Sequence, residues 1–122
     1  MRGVVLFAHG SRDPDWAEPF RRILQRVQSS RPEYPIALAF LEHMTPTLEE
    51  AIDAVIEEGA SAVTVFPLFM AQGGHLKKDL PSLVKELEAK HPRSEISVLP
   101  PIGEVTELLN AICEWLVNSA PR

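Results

Sequence analysis

The stretch Val4-Val5-Leu6-Phe7-Ala8, followed directly by His9-Gly10-Ser11-Arg12, decides the fold of this chain. An apolar run with no alternating polar residues is typical of a strand buried on both faces, as strands of a parallel sheet are. The run stops at a histidine and a glycine, and the chain then enters a segment with helical periodicity. Three more runs are nearly continuous in apolar character: Ile36–Leu41, Ala62–Phe69 and Ile96–Leu99.

A segment with the period of an amphipathic helix follows each of the four runs. Its apolar residues recur at spacings of three and four, which places them on one face of a helix. The four predicted stripes are Trp16, Phe20, Ile23, Leu24 and Val27; Leu48, Ala51, Ile52, Val55 and Ile56; Leu80, Leu83, Val84 and Leu87; and Val105, Leu108, Leu109, Ile112 and Leu116.

Residues that favour helix ends support this division. Asp15 and Glu18 have the spacing of a capping box at the start of the first helix. Thr45-Pro46 offers a cap and a first-turn proline to the second helix, and Asp79 offers a cap to the third. Gly59 suits the position just after the second helix. We therefore expect helices to begin or end close to these residues.

This β-α-β-α-β-α-β-α order predicts a single α/β domain over residues 1–122. Parallel strands joined by right-handed crossovers form an open four-stranded sheet with helices on both faces. By analogy with doubly wound folds, we expect the strand order 2-1-3-4. A chain of 122 residues has the length of one domain.

The composition of the chain makes some classes of binding partner and some locations unfavourable. Its 12 basic and 17 acidic residues give a formal net charge of −5, which disfavours non-specific binding to nucleic acid or anionic membranes. The N-terminal apolar run Val4–Ala8 is too short for a signal-peptide core, and the longest other apolar stretch, Ala62 to Ala71, is far shorter than a membrane span. The single cysteine, Cys113, excludes an internal disulfide and a cysteine-cluster metal site. We therefore expect a cytoplasmic protein that binds neither nucleic acid nor membrane.

Three of the four histidines follow the predicted strands, at the edge where an α/β sheet binds its ligands. His9 ends the first strand, Glu42 and His43 follow the second, and His75 follows the third behind Gly73-Gly74, a pair that allows a sharp bend. Two imidazoles and a carboxylate make a nitrogen and oxygen ligand set for a divalent transition metal, and they also accept protons. Taken singly, His9 also fits a capped strand end and His75 fits a hydrated loop. Glu42 alone also fits a carboxylate that interacts with the dipole of the helix that follows.

The remaining conspicuous residues have structural interpretations. Strand alternation turns His43 away from Glu42, and His91 fits a surface position at a helix end. Cys113 fits an inert core thiol, and both tryptophans fit helix packing. The loop His9-Gly10-Ser11-Arg12 lacks the glycine spacing of a nucleotide motif, although it suits a phosphate or carboxylate at a helix N-terminus. A flavodoxin-like phosphate-binding domain therefore stays open as an alternative.

Five sequence blocks together resemble the class II chelatases, and most closely the small CbiX-type sirohydrochlorin cobaltochelatases. The blocks cover nearly the whole chain in order: His9-Gly10-Ser11-Arg12-Asp13-Pro14, Phe40-Leu41-Glu42, Pro46 with Leu48-Glu49, Phe66-Pro67-Leu68-Phe69, and Gly73-Gly74-His75 through Asp79-Leu80-Pro81. This resemblance implies insertion of a divalent metal into sirohydrochlorin for cobalamin or sirohaem synthesis. Co²⁺ is the expected metal substrate, with Fe²⁺ or Ni²⁺ as alternatives, and no prosthetic group is expected.

The resemblance also implies roles for residues of this chain. His9 and His75 match the histidines that hold the metal and help to remove the pyrrole protons, and Glu42 matches their acidic partner. Longer relatives carry two α/β halves around a tetrapyrrole cleft, so a chain with one half is expected to form a homodimer. Apolar and cationic groups at the same edge suit a macrocycle with many carboxylates, and the expected substrate-binding residues are Gly10, Ser11, Arg12, Met44, Phe69, Met70, Gly73, Gly74, Leu76 and Lys77. A metal or tetrapyrrole carrier without turnover is the alternative from another class.

Overall fold

Four parallel strands form one sheet in the computed structural model, which describes Met1–Arg122. The strand order β2-β1-β3-β4 is the one predicted. The strands are β1 (Arg2–Ala8), β2 (Ile36–Phe40), β3 (Ala62–Pro67) and β4 (Glu95–Val98), and the helices are α1 (Glu18–Ser30), α2 (Leu48–Glu57), α3 (Gly74–Lys90) and α4 (Thr106–Ser119). Short 3₁₀ turns precede α1 and α4, at Pro14–Ala17 and Ile102–Glu104.

Side chains that alternate along the strands build a core on each face of the sheet. Val5 and Phe7 point to the face covered by α2 and α3, where they join Ile52, Val55 and Leu87 in the larger core. The other face carries a smaller core formed by Leu6, Ala8, Ile36, Leu38, Phe40 and Ala17, against which α1 packs with Trp16, Phe20, Leu24 and Val27. Both faces are therefore apolar, which explains the nearly continuous apolar runs in the sequence.

Three helix starts differ from the prediction. Asp13, rather than Asp15, accepts the capping hydrogen bond, from the amide of Asp15 at 3.0 Å, and this begins a 3₁₀ turn ahead of α1. A capping box does begin α2, but it joins Thr47 and Glu50, because the amide of each donates to the side chain of the other, at 2.8 and 3.2 Å.

The third helix begins five residues before the predicted cap. Gly73 is its N-cap and His75 lies in its first turn, so Asp79 is an interior residue of α3. Gly59 does follow the end of α2 as predicted, with a left-handed φ of 113°. The apolar runs predicted as strands extend one or two residues beyond the observed strands, since β3 stops at Pro67 and β4 at Val98.

The last helix differs most from the prediction. No residue of α4 is buried, and the helix packs mainly on the 3₁₀ turn that precedes it. Trp115 is 66% exposed and Cys113 is also exposed, so the predictions of a packed tryptophan and a core thiol were wrong. Four residues of the predicted stripe lie in α4, whereas Val105 is its N-cap. A stripe in the sequence does not say which surface covers it. None of the helices combines the length and the apolar character that a membrane span requires.

Candidate active site at the carboxyl edge of the sheet

The chain leaves β1 and β2 side by side, which brings His9 and Glu42 to neighbouring positions. The ladder between the two strands continues past their ends, because the amide of Glu42 donates to the carbonyl of His9 at 3.0 Å. Gly10 has a left-handed φ of 88°, and a Cβ placed there would lie 1.9 Å from the carbonyl oxygen of Glu42. Only glycine therefore allows the two strand exits to approach this closely.

Beneath the exposed imidazole of His9 lies a buried aromatic ring. The ring centroids of His9 and Phe69 are 4.4 Å apart, and Phe69 in turn meets Phe7 edge-on at 5.2 Å. Phe69 is only 2% exposed, so the prediction that it forms part of an open apolar wall is wrong for this structure. It is a core residue that supports one face of the His9 ring.

The side chains of Arg12 and His43 form a series of polar contacts that leads to the carboxylate of Glu42. The Nε of Arg12 donates to Nδ1 of His43 at 3.5 Å, and Nε2 of His43 lies 3.9 Å from Oε1 of Glu42. The predicted opposite orientation of Glu42 and His43 is wrong, because β2 ends at Phe40 and His43 adopts a left-handed φ of 65°. Strand alternation no longer applies there, so His43 joins the candidate site.

The loop after His9 is organised by local hydrogen bonds. The hydroxyl oxygen of Ser11 accepts from the amide of Asp13 at 3.0 Å. This fixes the turn that carries Arg12, whose side chain is exposed. The loop therefore presents a guanidinium group next to His43, whereas the hydroxyl of Ser11 stabilises the turn.

His75 stands at the mouth of an apolar cleft between α2 and α3. The cleft has a volume of about 410 Å³ and is lined by Phe7, Phe40, Leu41, Thr47, Leu48, Glu49, His75, Leu76, Asp79, Leu80 and Leu83. Known ligand sites range from about 300 to 1,000 Å³, so this cleft suits a part of a large ligand. His75 and the half-buried Leu76 are the predicted site residues that it contains.

The glycine pair before His75 does not bend the chain in an unusual way. Gly73 has a φ of −73°, which any residue can adopt, and Gly74 is helical. A Cβ at either position would meet nothing within 4 Å. The prediction of a glycine-dependent bend is therefore wrong, and the pair instead leaves open space next to His75.

The other predicted substrate-binding residues are spread along the same edge. Met70 is 58% exposed, whereas Met44 is half-buried and packs against the core on the α1 face. Lys77 is exposed and borders a second groove, on the side of α3 that faces β4. These residues therefore border an open surface and do not enclose one cavity.

No group of three histidine, cysteine, aspartate or glutamate side chains lies close enough together to hold a metal ion. His9, Glu42 and His75 of one chain thus lie at the carboxyl edge of the sheet, but they are not close enough together to bind one metal ion as three ligands. The histidines that form side-chain hydrogen bonds are His43 and His91, so the imidazole nitrogens of His9 and His75 have no partner in the chain.

At the opposite end of α3, the structure reveals a polar cluster that sequence reasoning missed. Nε2 of His91 lies 2.7 Å from Oδ1 of Asp53, and Nζ of Lys90 lies 2.8 Å from Oδ2 of the same carboxylate. Burial by itself raises the pKa of Asp53, but the hydrogen bonds from Lys90 and His91 outweigh it and lower that pKa. The hydrogen bond to Asp53 raises the pKa of Lys90.

The residues of this cluster are 37 and 38 positions apart in sequence, so no local pattern could predict their contact. His91 does lie at the predicted helix end, yet its side chain is only 21% exposed and is paired.

The fold and this edge define an open α/β protein whose ligand surface carries unpaired imidazoles. The CbiX family model matches residues 3–119, and the chain therefore belongs to the CbiX family. A sirohydrochlorin cobaltochelatase of Saccharolobus islandicus is 33% identical over 109 residues, which cover 84% of each chain. A sirohydrochlorin ferrochelatase of Priestia megaterium is 28% identical over 93% of this chain, but over only 43% of its own length.

Solved structures agree in fold. A CbiX protein from Marinobacter aquaeolei VT8 superposes with a TM-score of 0.82 at 33% identity and covers 97% of this chain and 96% of its own. The sirohydrochlorin chelatase SirB of Bacillus subtilis, solved with Fe³⁺, gives a TM-score of 0.78 at 25% identity. A cobalt complex of SirB from the subspecies spizizenii gives 0.74 at 26%. This chain spans about half of the SirB chains, at 48% and 51% of their length.

Proposed function

We propose that this protein is a sirohydrochlorin chelatase that inserts a divalent metal ion, Co²⁺ in the first place, into sirohydrochlorin. The observation that carries the proposal is membership of the CbiX family over residues 3–119, together with cobaltochelatase relatives that are 33% identical. The histidines that the family resemblance selects lie on one edge of the sheet, exposed and without partners in the chain.

The reaction sets two requirements for this edge. One divalent ion replaces two pyrrole N–H protons, so the site must deliver a metal and accept two protons. The imidazoles of His9 and His75 bind Co²⁺, Fe²⁺ and Ni²⁺ well, and a set of only two or three ligands releases the ion to a stronger chelator. Glu42 offsets the charge of the incoming dication and accepts a proton.

The substrate carries many carboxylates, while the protein has a formal charge of −5. Local cations must therefore dominate within a Debye length of about 8–10 Å. Arg12 donates to His43, which in turn lies near Glu42, and the exposed Lys77 and Lys78 follow His75 in the first turns of α3. These three side chains supply the positive charge that draws the macrocycle to the edge.

The proposed active unit is a homodimer of the single domain 1–122. No three-ligand group exists within one chain, and the matched ferrochelatase and SirB chains are about twice as long as this one. A second copy facing the first across the carboxyl edge supplies the other wall that a flat macrocycle needs. The cleft beside His75 then holds one side of the substrate.

The test is an anaerobic absorbance assay with purified protein, sirohydrochlorin and Co²⁺, read against the rate without protein. The double variant His9→Ala/His75→Ala is the control that we expect to be inactive. Parallel assays use Fe²⁺ and Ni²⁺ in place of Co²⁺. We expect an accelerated rate with the wild-type protein that disappears in the double variant. Equal rates with and without protein for all three metals would refute the proposal.

The ferrochelatase relative supports Fe²⁺ as a second metal substrate. The parallel assay ranks it directly, and a higher rate with Fe²⁺ than with Co²⁺ at equal free metal would reverse the order proposed here. Binding of metal or macrocycle without acceleration would identify a carrier instead.

A further inference from the structure

Asp79 is a carboxylate of α3 that the fold does not explain. The sequence predicts a helix cap at this residue, but α3 begins at Gly74 and Asp79 is exposed in the interior of the helix. The side-chain hydrogen bonds and ion pairs of α3 are formed by Glu88 and Lys90, near its C-terminus. Aspartate also favours a helix interior less than alanine does. Neither helix formation nor pairing within the chain therefore accounts for Asp79.

Asp79 and His75 lie on the same side of α3. They are four positions apart, and residues at this spacing are neighbours on a helix, with Cβ atoms about 5–6 Å apart. Helical side chains lean toward the N-terminus of their helix, which directs Asp79 toward the turn that carries His75. Both side chains line the apolar cleft between α2 and α3. His75 therefore has a carboxylate within reach on its own helix.

We infer that Asp79 is a positioning residue, whose carboxylate accepts a hydrogen bond from Nδ1–H of His75 when Nε2 of the same ring holds the metal substrate. The inference rests on the metal-binding role of His75 in the proposed function. Nε2 is the ring nitrogen farther from the backbone, so it reaches an ion above the edge while Nδ1 stays close to the helix. A neutral imidazole has one N–H and one free lone pair, so a hydrogen bond from Nδ1–H leaves the lone pair of Nε2 for the metal.

The carboxylate changes how strongly His75 binds the ion. A carboxylate that accepts from the second ring nitrogen fixes the orientation of the imidazole and raises the basicity of the ligating nitrogen, and loss of such a partner lowers metal affinity about 10–100-fold. A macrocycle that covers the cleft also removes water from Asp79, which costs free energy unless the carboxylate accepts a hydrogen bond. The other α3 residues that line the cleft are Leu76, Leu80 and Leu83, so His75 is the side-chain donor that this helix offers there.

Affinity for Co²⁺ is the first test, measured by titration of the purified protein against a competing chelator. Asp79→Ala removes the acceptor, and the matched control Glu86→Ala removes an exposed carboxylate from the same helix outside the cleft. We expect the affinity to fall about tenfold with Asp79→Ala and to stay within about twofold with Glu86→Ala. Asp79→Glu should restore it to within about threefold of wild type, because the longer side chain keeps the acceptor.

Urea unfolding of the same variants separates positioning from a structural role. Stability should hold or rise with Asp79→Ala, because alanine favours a helix interior. A loss of stability with this variant, or an unchanged affinity for Co²⁺, overturns the role of Asp79, and the rate of cobalt insertion by the wild type decides separately whether the proposed function stands. A wild-type protein that does not bind Co²⁺ overturns the inference together with the metal-binding role of His75.

The tautomer of His75 provides a readout that does not depend on activity. Nitrogen NMR of the imidazole is recorded at saturating Zn²⁺, a diamagnetic ion that imidazole also binds, in the wild type and in Asp79→Ala. We expect Zn²⁺ on Nε2 and a proton on Nδ1 in the wild type, with the Nδ1 signal shifted in the variant. Zn²⁺ on Nδ1, or the same Nδ1 signal in both proteins, overturns the inference.

Discussion

Helix α3 carries a histidine near each end, and the two differ in every respect that matters for function. His75, in the first turn, is exposed beside an apolar cleft and has no hydrogen-bond partner in the chain. His91, at the C-terminal cap, is 21% exposed and pairs with Asp53 at 2.7 Å. The same side chain on the same helix is thus unpaired at the carboxyl edge of the sheet and paired at the opposite edge.

This difference separates residues that stabilise the fold from residues that serve a ligand. The cluster of Asp53, Lys90 and His91 joins the end of α3 to α2, and its side chains are paired with one another. At the other edge, the imidazoles of His9 and His75 keep their nitrogens available. Substitutions at the carboxyl edge should therefore change activity, and substitutions at the opposite edge should change stability.

The largest effect is expected from His9→Ala. Removing a metal ligand and proton acceptor should lower the rate of cobalt insertion by about 100-fold or more. The free energy of unfolding should change by less than about 1 kcal/mol, because the ring is exposed and packs only one face on Phe69. Steady-state rates and urea unfolding of the same preparation check both parts. A rate within threefold of wild type would remove His9 from the site.

Gly10→Ala sharpens the comparison, because it is expected to affect stability at the edge assigned to function. A left-handed residue with a Cβ costs about 1–2 kcal/mol, and the contact with the carbonyl of Glu42 adds to this. We expect a loss of at least about 2 kcal/mol in urea unfolding. Gly74→Ala is the control, since its Cβ meets nothing within 4 Å and Ala favours a helix, so stability should hold or rise. Equal effects of the two changes would contradict the close approach of the strand exits.

Asp53→Asn tests the stabilising edge through its pH dependence. The pKa of Asp53 is lowered in the folded protein, so its contribution is present at neutral pH and is lost as the pH falls below the ordinary value of 3.8 toward the folded value. We expect the variant to lose about 1 kcal/mol at pH 7. The difference in free energy of unfolding between the variant and the wild type should become smaller in unfolding curves below about pH 4. A gap that stays constant down to pH 2 would rule out an ionised Asp53 as the source.

The smallest effect is expected from Arg12→Ala. It removes one exposed cation next to His43, so the affinity for sirohydrochlorin should fall about fivefold at low salt and less at high salt. Metal binding should weaken less than macrocycle binding. Titrations followed by absorbance at two salt concentrations measure both. An unchanged substrate affinity at low salt would show that Arg12 does not steer the macrocycle.

Much of this fold follows from local sequence patterns. Nearly continuous apolar runs located all four strands, and together with fold analogy they predicted the order β2-β1-β3-β4. The start of α3 was predicted too late because Gly73 is a weak signal, whereas Asp79 resembles a cap although it is an interior residue. The position of α4 could not be predicted, because a stripe such as Ile112 and Leu116 reads the same whether its own sheet or another chain covers it.

The sequence predicted the edge of the sheet at which the candidate site lies, but it did not predict which side chains of the site contact one another. Strand ends placed His9, Glu42 and His75 on the same side of the molecule. The left-handed backbone at His43 has no sequence signal for a non-glycine residue, so its approach to Glu42 was missed. Phe69 was predicted to face a ligand because its run ends at the functional edge, yet it turns inward beneath His9. The metal-ligand roles and the cytoplasmic location stay predictions.

One paired measurement tests the central claim most directly: cobalt insertion and urea unfolding of His75→Ala and His91→Ala, side by side with wild type. The account predicts that His75→Ala loses about 100-fold or more in rate with stability unchanged within about 0.5 kcal/mol. It predicts that His91→Ala keeps its rate within about twofold and loses about 1 kcal/mol of stability. Equal rates for the two variants, or a stable His91→Ala beside an active His75→Ala, would contradict the division between the two ends of α3.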